Sequence, residues 1–595
     1  MALELQPEKR FFKQRLQLSI GKVEQALAGF YEVRRLDEQE RDGLLRPRKY
    51  AAAWEVMHRR TEAAPSLIVA LDYEFPATIP NIFVPNSEEW FLKVPHVDRA
   101  GTLCIYPAHS VLDQFNCGAS VLDMVARGGE LMEEGLSGRS QDEFVREAEG
   151  YWAQLAESPG LIAACEMRGP SRWLKASWLK EKVSLVIAET TEELVPWFSA
   201  LAERRPAKGF DVAFIWREEP MRPHDYPAAN EDVFRLINGA GLGDPSTAAA
   251  RARKSPLFAI IAFETGSGLA AIAVSVRGFN QAVNGFQPKS ITGEMLAARW
   301  GPRRCGRHIV DRAYSDWLHW RGGADQERTS ITAANVMIVG CGAVGADVAM
   351  LLAKAGVRKF TLVDRDLLRW ENIGRHMLGA RWVGKAKAAA LAHALLGHFP
   401  HLKAEISLDG IEKICRARGE TLAKFDLIIC MTADWMGESA LNLWARQFSA
   451  KAVVYGWLEP HGLAGHGLLV TNQGGCLACG RDEGGRVRDK VIEWADEPIM
   501  KVPACGGWFT PYGAIDSGPA KEMMAQLALD SLTGSGGASS HRVFIGDHRR
   551  IEFHGGIVRE PWRSYGGDPA ILNRTIARSW LVNPHCPLCN RPSKN

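Results

Sequence analysis

The segment at 335–366, NVMIVGCGAVGADVAMLLAKAGVRKFTLVDRD, constrains the fold more than any other part of the chain. An apolar run typical of a strand leads into a glycine turn, an apolar-periodic helix and a second strand-like run. Gly340, Gly342 and Gly345 have G-x-G-x-x-G spacing. This spacing permits a sharp turn, a close approach of phosphate to backbone, and close packing of helix on strand. The pattern therefore predicts a βαβ unit whose helix N-terminus attracts an anion.

The residues after the second strand indicate which nucleotide binds. Asp364 stands where a carboxylate that binds ribose hydroxyls is expected. A triphosphate that is split requires cations to hold its developing charge, whereas NAD requires little beyond the glycine turn and the ribose acid. The polar and charged residues that follow are Asp366, Asn372, Arg375, Lys385 and Lys387. This ordered set predicts ATP, although any one of these residues, Lys385 especially, could be a solvated surface residue.

A further carboxylate ends a later apolar run. The segment FDLIICMTAD is typical of a buried strand and closes at Asp434. An acid at the carboxyl end of a parallel strand suits Mg²⁺, which prefers hard oxygen ligands. We therefore predict that Asp434 holds Mg²⁺.

Two C-x-x-C pairs predict a metal site. Each pair can place two thiolates on one ion, and together they complete a closed tetrahedral zinc site of structural type. The four cysteines are Cys476, Cys479, Cys586 and Cys589. Four core thiols or a redox pair are the alternatives.

A fifth cysteine, Cys505, lies between the two pairs in the loop-like segment PACGGWFTPYGAIDSG. A cysteine on such a loop suits the attack of a thiolate on an acyl-adenylate, which gives a thioester. An inert core cysteine is the alternative.

Composition limits the classes of partner and compartment. The formal charge of +3 over 595 residues does not predict a nucleic-acid surface. We find no apolar run long enough to span a membrane and no export signal at the N-terminus. Twelve cysteines without such a signal predict a reducing, cytoplasmic compartment.

From about residue 325 to 595 the chain resembles the ThiF/MoeB and ubiquitin-activating (E1-type) adenylation domain, which is Rossmann-like. The resemblance lies in the ordered series G-x-G-x-x-G, D-x-D, N-x-x-R, G-x-x-K and a later strand-end aspartate. It implies that Asp364 binds ribose and that Asn372, Arg375 and Lys387 contact the phosphates. It also implies that Cys505 accepts the acyl group. Family members use an arginine upstream of the glycine turn, for which this chain offers Arg312 and Arg321.

The N-terminal region, about 20 to 165, resembles a ubiquitin-conjugating (E2-type) domain. The resemblance lies in a proline-rich strand segment, FPATIPNIFV, followed by His96, Gly101, Leu103 and Cys104. It implies that Cys104 is a second nucleophile, with an inert core cysteine as the alternative and Cys117 as a competitor. The usual His-Pro-Asn is replaced by His96-Val97-Asp98. An ionised Asp98 would repel the negative charge that the usual asparagine supports.

We expect a multidomain α/β and α+β protein in three parts. These are an E2-like α+β domain (1–165), an α/β linker domain (166–320), and an adenylation domain with the cysteine loop and a four-cysteine zinc site (321–595). The order is similar to the fused activating–conjugating protein of bacterial CBASS anti-phage operons. That resemblance implies a homodimer that joins the C-terminal tail of a cGAS-like nucleotidyltransferase to a lysine of a target protein. The alternatives are a sulfur-carrier adenylyltransferase, an NAD-dependent oxidoreductase and a non-catalytic scaffold.

Overall fold

The structure is a computed structural model. It describes residues 7–44, 48–57, 65–106, 113–180, 184–202, 204–254, 256–276, 292–322, 325–448, 450–482, 486–501, 508–564 and 573–590. Two compact units divide the chain. The first contains residues 1–163, 167–191 and 208–311, and the second contains residues 164–166, 192–207 and 312–595.

The first part of unit 1 is a four-stranded antiparallel sheet with helices packed on it. The strands, in spatial as in sequence order, are β1 Glu32–Arg35, β2 Ala52–Met57, β3 Leu67–Leu71 and β4 Asn81–Phe83. The helices are α1 Pro7–Phe30, α2 Glu38–Leu44, α3 Ser87–Trp90, α4 Cys117–Leu136, α5 Glu143–Arg146 and α6 Ala148–Leu155. This is the mixed α+β architecture predicted for the N-terminal region.

Helix α1 packs on the sheet because its apolar residues recur at helical spacing. Leu16, Ile20, Val23 and Leu27 form one face and are buried in the core with α4 and strands β2 and β3. Strand β3 is buried along its whole length.

The rest of unit 1 is built around a closed barrel with the strand order β10-β11-β5-β7-β6-β8-β9. Its strands are β5 Ser158–Ala163, β6 Arg172–Lys180, β7 Ser184–Ala188, β8 Phe210–Arg217, β9 Leu257–Thr265, β10 Gly268–Val276 and β11 Gly306–Arg312. The helices between these strands in sequence are α7 Thr191–Ala202, of which all but the first residue belongs to unit 2, α8 Asn230–Gly239, α9 Pro245–Lys254 and α10 Gly293–Trp300.

Unit 2 contains an eight-stranded sheet with the order β14-β13-β12-β15-β16-β17-β21-β23. The strands are β12 Asn335–Val339, β13 Lys359–Val363, β14 Lys403–Ser407, β15 Leu427–Cys430, β16 Val453–Leu458, β17 Ala464–Val470, β21 Ser540–Ile545 and β23 Arg574–Ser579. In this spatial order the strands from β14 to β16 run parallel, and the last three strands are antiparallel to their neighbours. The predicted βαβ unit is thus confirmed as β12, α13 and β13.

Helices and two small two-stranded antiparallel sheets complete unit 2. The sheets are β18 Ile492–Trp494 with β22 Gly556–Val558, and β19 Met500–Lys501 with β20 Trp508–Phe509. The helices are α11 Ser315–His319, α12 Asp325–Ala333, α13 Ala343–Ala355, α14 Lys387–His398, α15 Ile411–Arg418, α16 Trp435–Phe448, α17 Ala514–Thr533 and α18 His548–Phe553. Within the described ranges of the chain, none of the helices combines the length and the apolar character that a bilayer span requires.

Candidate functional sites

The glycine turn sits where strands β12 and β15 end side by side. Val339 pairs with Cys430, so Gly340 and Met431 leave the sheet together. Gly340 has φ of +89°, and a side-chain carbon there would lie 2.8 Å from the carbonyl oxygen of Met431. At Gly345 such a carbon would lie 1.9 Å from the carbonyl oxygen of Gly340. Both positions therefore require glycine on steric grounds.

Gly342 differs, because no heavy atom lies within 4 Å of the position that its side-chain carbon would take. It directly precedes α13, whose first backbone N–H groups have no partners within the helix. The space beside Gly342 is thus open to an anion at a helix N-terminus.

Asp364 anchors the turn. Its Oδ2 accepts the backbone N–H of Cys341 at 2.8 Å, and its Oδ1 accepts that of Asp366 at 2.8 Å. Burial raises the pKa of Asp364. Each carboxylate oxygen has a further lone pair, so the side chain can order the turn and still accept a ribose hydroxyl.

His376 holds the other side of the turn and was not predicted from the sequence. Its Nε2 donates to the carbonyl oxygen of Cys341 at 2.8 Å, and its Nδ1 accepts the backbone N–H of Leu378 at 3.1 Å. Burial lowers the pKa of His376, so the ring is neutral with its proton on Nε2. A lone histidine in GRHM carries no motif, and only the folded chain brings it to the turn.

The predicted phosphate ligands stand on the segment after β13. Lys387 begins α14, and its Nζ lies 3.1 Å from Oδ2 of Asp366. Asn372 uses its Oδ1 to accept the N–H of Arg369 at 3.0 Å, which leaves its amide donor group available. Arg375 donates from Nη1 to the carbonyl oxygen of Glu371 at 2.7 Å. Lys385 is exposed, which agrees with the alternative that it is a solvated surface residue.

Asp434 lies at the same edge of the sheet, just after β15. Its Oδ1 accepts the N–H of Met436 at 3.2 Å, and its Oδ2 lies 3.7 Å from Nη2 of Arg365. The Arg365 pair is exposed and therefore weak. A half-exposed carboxylate with lone pairs to spare fits a Mg²⁺ ligand.

Of the two upstream arginines, only Arg312 has a described side chain. Its guanidinium carbon lies 3.6 Å from the centre of the Trp317 ring. The side chain of Arg321 lies outside the described residues, so the choice between them stays open.

The four cysteines of the two C-x-x-C pairs lie close together, as predicted. All four sulfurs lie within 4.8 Å of one another. The Sγ atoms of Cys476 and Cys586 are 3.7 Å apart, and those of Cys479 and Cys589 are 3.6 Å apart. Metal–sulfur bonds of about 2.3 Å define a tetrahedron with edges of roughly 3.8 Å, so the cluster has the dimensions of a zinc site.

Asn442 supports this cluster from helix α16. Its Nδ2 donates to the sulfur of Cys476 at 3.5 Å, and its Oδ1 accepts the N–H of Leu477 at 3.1 Å. The indole N–H of Trp580 also binds the carbonyl oxygen of Cys476, at 2.9 Å. Such outer contacts orient the ligands of a metal site.

Cys505 lies outside the described residues.

In unit 1, Cys104 is exposed on an ordered loop. Its backbone N–H donates to the carbonyl oxygen of His96 at 2.9 Å. Asp98 folds the loop between them, because its Oδ1 accepts the N–H groups of Ala100 at 2.8 Å and of Thr102 at 2.7 Å. Asp98 thus supplies the loop support expected of the missing asparagine. Cys117, the competing candidate, is buried at the start of α4.

Glu147 and Tyr151 complete the surroundings of Cys104, and neither was predicted from the sequence. Tyr151 accepts the backbone N–H of His96 at 2.6 Å, and its hydroxyl lies 3.3 Å from Oε2 of Glu147. The same Oε2 lies 3.3 Å from Nδ1 of His96, at ion-pair distance but not aligned as a hydrogen bond. The interaction raises the pKa of His96 and lowers that of Glu147.

The surroundings of Cys104 disfavour its thiolate form. Partial burial of the sulfur raises the pKa of Cys104, and the negative charges of Glu147 and Asp98 raise it further. A thiol is a weaker nucleophile than a thiolate.

Two family models match the chain, one over the region of the glycine turn and one over the region of Cys104. Residues 314–536 match the ThiF family model, and residues 27–159 match the model described as Prokaryotic E2 family B. The chain joins a ThiF-family domain to a prokaryotic E2 domain. The resemblances stated for the two ends of the sequence are thereby confirmed.

Curated relatives include two described as ATP-dependent ubiquitin transferase-like protein Cap2. The Vibrio cholerae protein is 26% identical over 261 residues, which are 42% of this chain and 44% of that protein. The Pseudomonas aeruginosa protein is 31% identical over 212 residues, which are 34% of this chain and 37% of that protein. The chain is homologous to these proteins and spans less than half of their length in each match.

Two more distant similarities concern the adenylation domain. The mouse adenylyltransferase and sulfurtransferase MOCS3 is 42% identical over 66 residues, which are 11% of this chain and 14% of that protein. The crystal structure of E. coli MccB with AMPCPP and MccA aligns over 45% of this chain and 69% of that chain. Its identity is 13% and its TM-score 0.32, too low to bear on function.

The glycine turn yields a prediction that separates folding from binding. Gly342→Ala should fold like the wild type, but its methyl group should weaken ATP binding by about tenfold or more, a cost of at least about 1.4 kcal/mol. Gly345→Ala should instead lower the free energy of unfolding by about 1–3 kcal/mol, because the added methyl overlaps the Gly340 carbonyl. Calorimetric titration with ATP and thermal unfolding measure the two effects. An unchanged ATP affinity of Gly342→Ala would contradict the assignment.

The cysteine cluster predicts bound zinc. Cys586→Ser should weaken zinc binding more than tenfold, since even changes in the outer contacts of such sites cost about ten- to a hundredfold. Competition with a chromogenic chelator measures this affinity. Cys415→Ser, a cysteine outside the cluster, is the matched control and should keep the wild-type affinity. Equal zinc affinity in both variants would exclude the site.

The charges around Cys104 predict a pH effect. A nearby carboxylate disfavours the thiolate, so Glu147→Gln should lower the pKa of Cys104 and shift its reactivity towards lower pH. Alkylation of the Cys104 peptide by iodoacetamide, followed by mass spectrometry from about pH 7 to 10, should show a steeper rise at the lower end for the variant. Glu143→Gln is the control, because Glu143 pairs with Arg146 at 2.7 Å. Superimposable profiles for Glu147→Gln and wild type would refute the charge effect.

Proposed function

We propose that the chain activates the C-terminal carboxylate of a protein with ATP and passes the acyl group through two cysteines to an amine. The single observation that carries this proposal is that one chain holds both a ThiF-family glycine turn with its ordered polar residues and an E2-family loop with an exposed cysteine. Either part alone would support a narrower activity. Together they provide an activating centre and an acceptor.

In the first step a carboxylate oxygen attacks the α-phosphorus of ATP and pyrophosphate leaves. We assign binding of the phosphates to the turn at Gly340, Gly342 and Gly345 and to Asn372, Arg375 and Lys387. We assign the ribose to Asp364. Asp366 keeps Lys387 in place, and Asp434 would hold Mg²⁺, which would neutralise phosphate charge. Arg375 and Lys387 would stabilise the negative charge that develops as pyrophosphate departs.

In the following steps the acyl group moves between sulfur atoms. We assign Cys505 as the thiolate that attacks the acyl-adenylate, forms a thioester and releases AMP. The thiol of Cys104 then attacks this thioester, the acyl–sulfur bond to Cys505 breaks, and the proton of Cys104 passes to the departing sulfur of Cys505. An amine attacks the second thioester, an amide forms, and the sulfur of Cys104 leaves. Glu147, whose charge acts on Cys104, would help to remove the proton of the amine.

We further propose partners and organisation on the resemblance to the CBASS proteins. The donor is the tail of a cGAS-like nucleotidyltransferase encoded in the same operon, and the acceptor is a lysine of a target protein. The four-cysteine site holds zinc in a structural role. The chain acts as a homodimer in the cytoplasm. Its three parts are the regions 1–165, 166–320 and 321–595. Similarity to Cap2 proteins supports this class of reaction.

The similarity to MOCS3 favours a second candidate function. A sulfur-carrier adenylyltransferase would use the nucleotide site and the zinc site in the same way. It would not require Cys104. The two candidates therefore differ in whether the chain links one protein to another, which only the relay through Cys104 predicts.

Substitution of Cys104 tests the proposal. Cys104→Lys offers an amine in place of the thiol and should trap the donor in an amide that survives reductant. The full chain is incubated with ATP, Mg²⁺ and the neighbouring nucleotidyltransferase, and products are separated on reducing gels. Cys104→Ala should abolish linkage to other proteins while ATP–pyrophosphate exchange stays within about twofold of wild type, because adenylation precedes the transfer.

Cys117→Ala provides the matched control, because Cys117 is a buried cysteine of the same domain. It should leave both linkage and exchange unchanged. Linkage that persists in Cys104→Ala would overturn the relay through Cys104, whereas exchange without any linkage in the wild type would favour the sulfur-carrier alternative. Absence of exchange in the wild type would overturn the adenylation step itself.

A further inference from the structure

An aromatic ring supports one of the assigned phosphate ligands. The guanidinium carbon of Arg375 lies 5.0 Å from the centre of the Tyr512 ring. At this distance the negative face of the ring attracts a cation. Both residues are partly exposed, so the pair lies at the surface of unit 2 where a ligand can reach it. No sequence motif singles out Tyr512.

Arg375 carries more hydrogen-bond donors than its described contacts use. A guanidinium has five N–H donors. The carbonyl oxygen of Glu371 accepts from Nη1 at 2.7 Å. Among the described residues, no carboxylate forms an ion pair with Arg375. Donors at the edge of the guanidinium therefore remain available for phosphate oxygens.

The ring itself is held by its backbone. His461 and Tyr512 form a parallel β-bridge, and the N–H of His461 donates to the carbonyl oxygen of Pro511 at 2.6 Å. His461 follows strand β16 of the main sheet, and α17 begins at Ala514, just after Tyr512. The segment that carries the ring is thus fixed to the sheet on one side and to a long helix on the other.

We propose that Tyr512 is a positioning residue that holds Arg375 ready to bind the phosphates of ATP. The inference rests on the proposed function, which places ATP at this site. An arginine side chain loses conformational freedom when it binds a ligand, and prior orientation by the ring reduces this cost. The contribution should therefore appear in ATP affinity and should depend on Arg375.

Titration calorimetry with ATP on the full chain tests this role. Tyr512→Leu should weaken ATP binding roughly threefold to thirtyfold, the range expected of a cation–ring contact. Tyr512→Phe keeps the ring and should bind ATP within about twofold of wild type. Tyr512→Met is measured as a second variant without a ring, and thermal unfolding without nucleotide confirms that each variant is folded.

A double-mutant cycle separates positioning from a general structural effect. In an Arg375→Met background, Tyr512→Leu should cause no further loss of ATP affinity, because the partner of the ring is gone. An equal loss in both backgrounds, or a loss in Tyr512→Phe as large as in Tyr512→Leu, would overturn the proposal. Wild-type affinity in the folded variants without a ring would overturn this inference alone. Absence of ATP binding by the wild type would instead overturn the proposed function.

Discussion

The close packing of helix α13 against the end of strand β12 is the constraint on which the nucleotide site depends. A side chain at Gly345 would overlap the carbonyl oxygen of Gly340, so the helix can begin directly at the end of the strand only with glycine there. The turn is then fixed by two side chains that bind the main chain of Cys341, Asp364 at its N–H and His376 at its carbonyl oxygen. These contacts leave open space beside Gly342, at the N-terminus of a helix where an anion is favoured.

The two candidate centres have opposite electrostatic character. At the glycine turn the positive charge of Lys387 acts on Asp364, and such a cation suits phosphate groups and the charge that develops when pyrophosphate leaves. At Cys104, by contrast, partial burial of the sulfur and the negative charges of Glu147 and Asp98 raise the pKa of the thiol. A thiol with a raised pKa reacts slowly with oxidants and is a poor leaving group. In the proposed reaction this property would delay loss of the acyl group until an amine arrives.

Residues with a local signature could be predicted from the sequence. Some features depend only on spacing within a few residues, and the structure contains them. They are the G-x-G-x-x-G turn, the two C-x-x-C pairs and the strands β12, β13 and β15. The supports of these sites could not be predicted in the same way. His376, Asn442 and Tyr512 reach their partners across 35, 34 and 137 positions of the chain, and each is a common residue in an ordinary local context. Closure of the barrel is a similar case, because it depends on pairings between strands far apart in sequence.

The sequence by itself determined the positions of the glycine turn, the four clustered cysteines and the candidate cysteine after an E2-like motif. Short-range sterics and the spacing of metal ligands require particular residues at fixed offsets, so such features can be read from the sequence. Only the tertiary structure decided how each is held and what its electrostatic environment is. The hydrogen bonds of Asp98 show that it supports the Cys104 loop, while its negative charge still acts on the sulfur. The physical reason is that hydrogen bonds and pKa values depend on distances in space and on burial, which long-range packing sets.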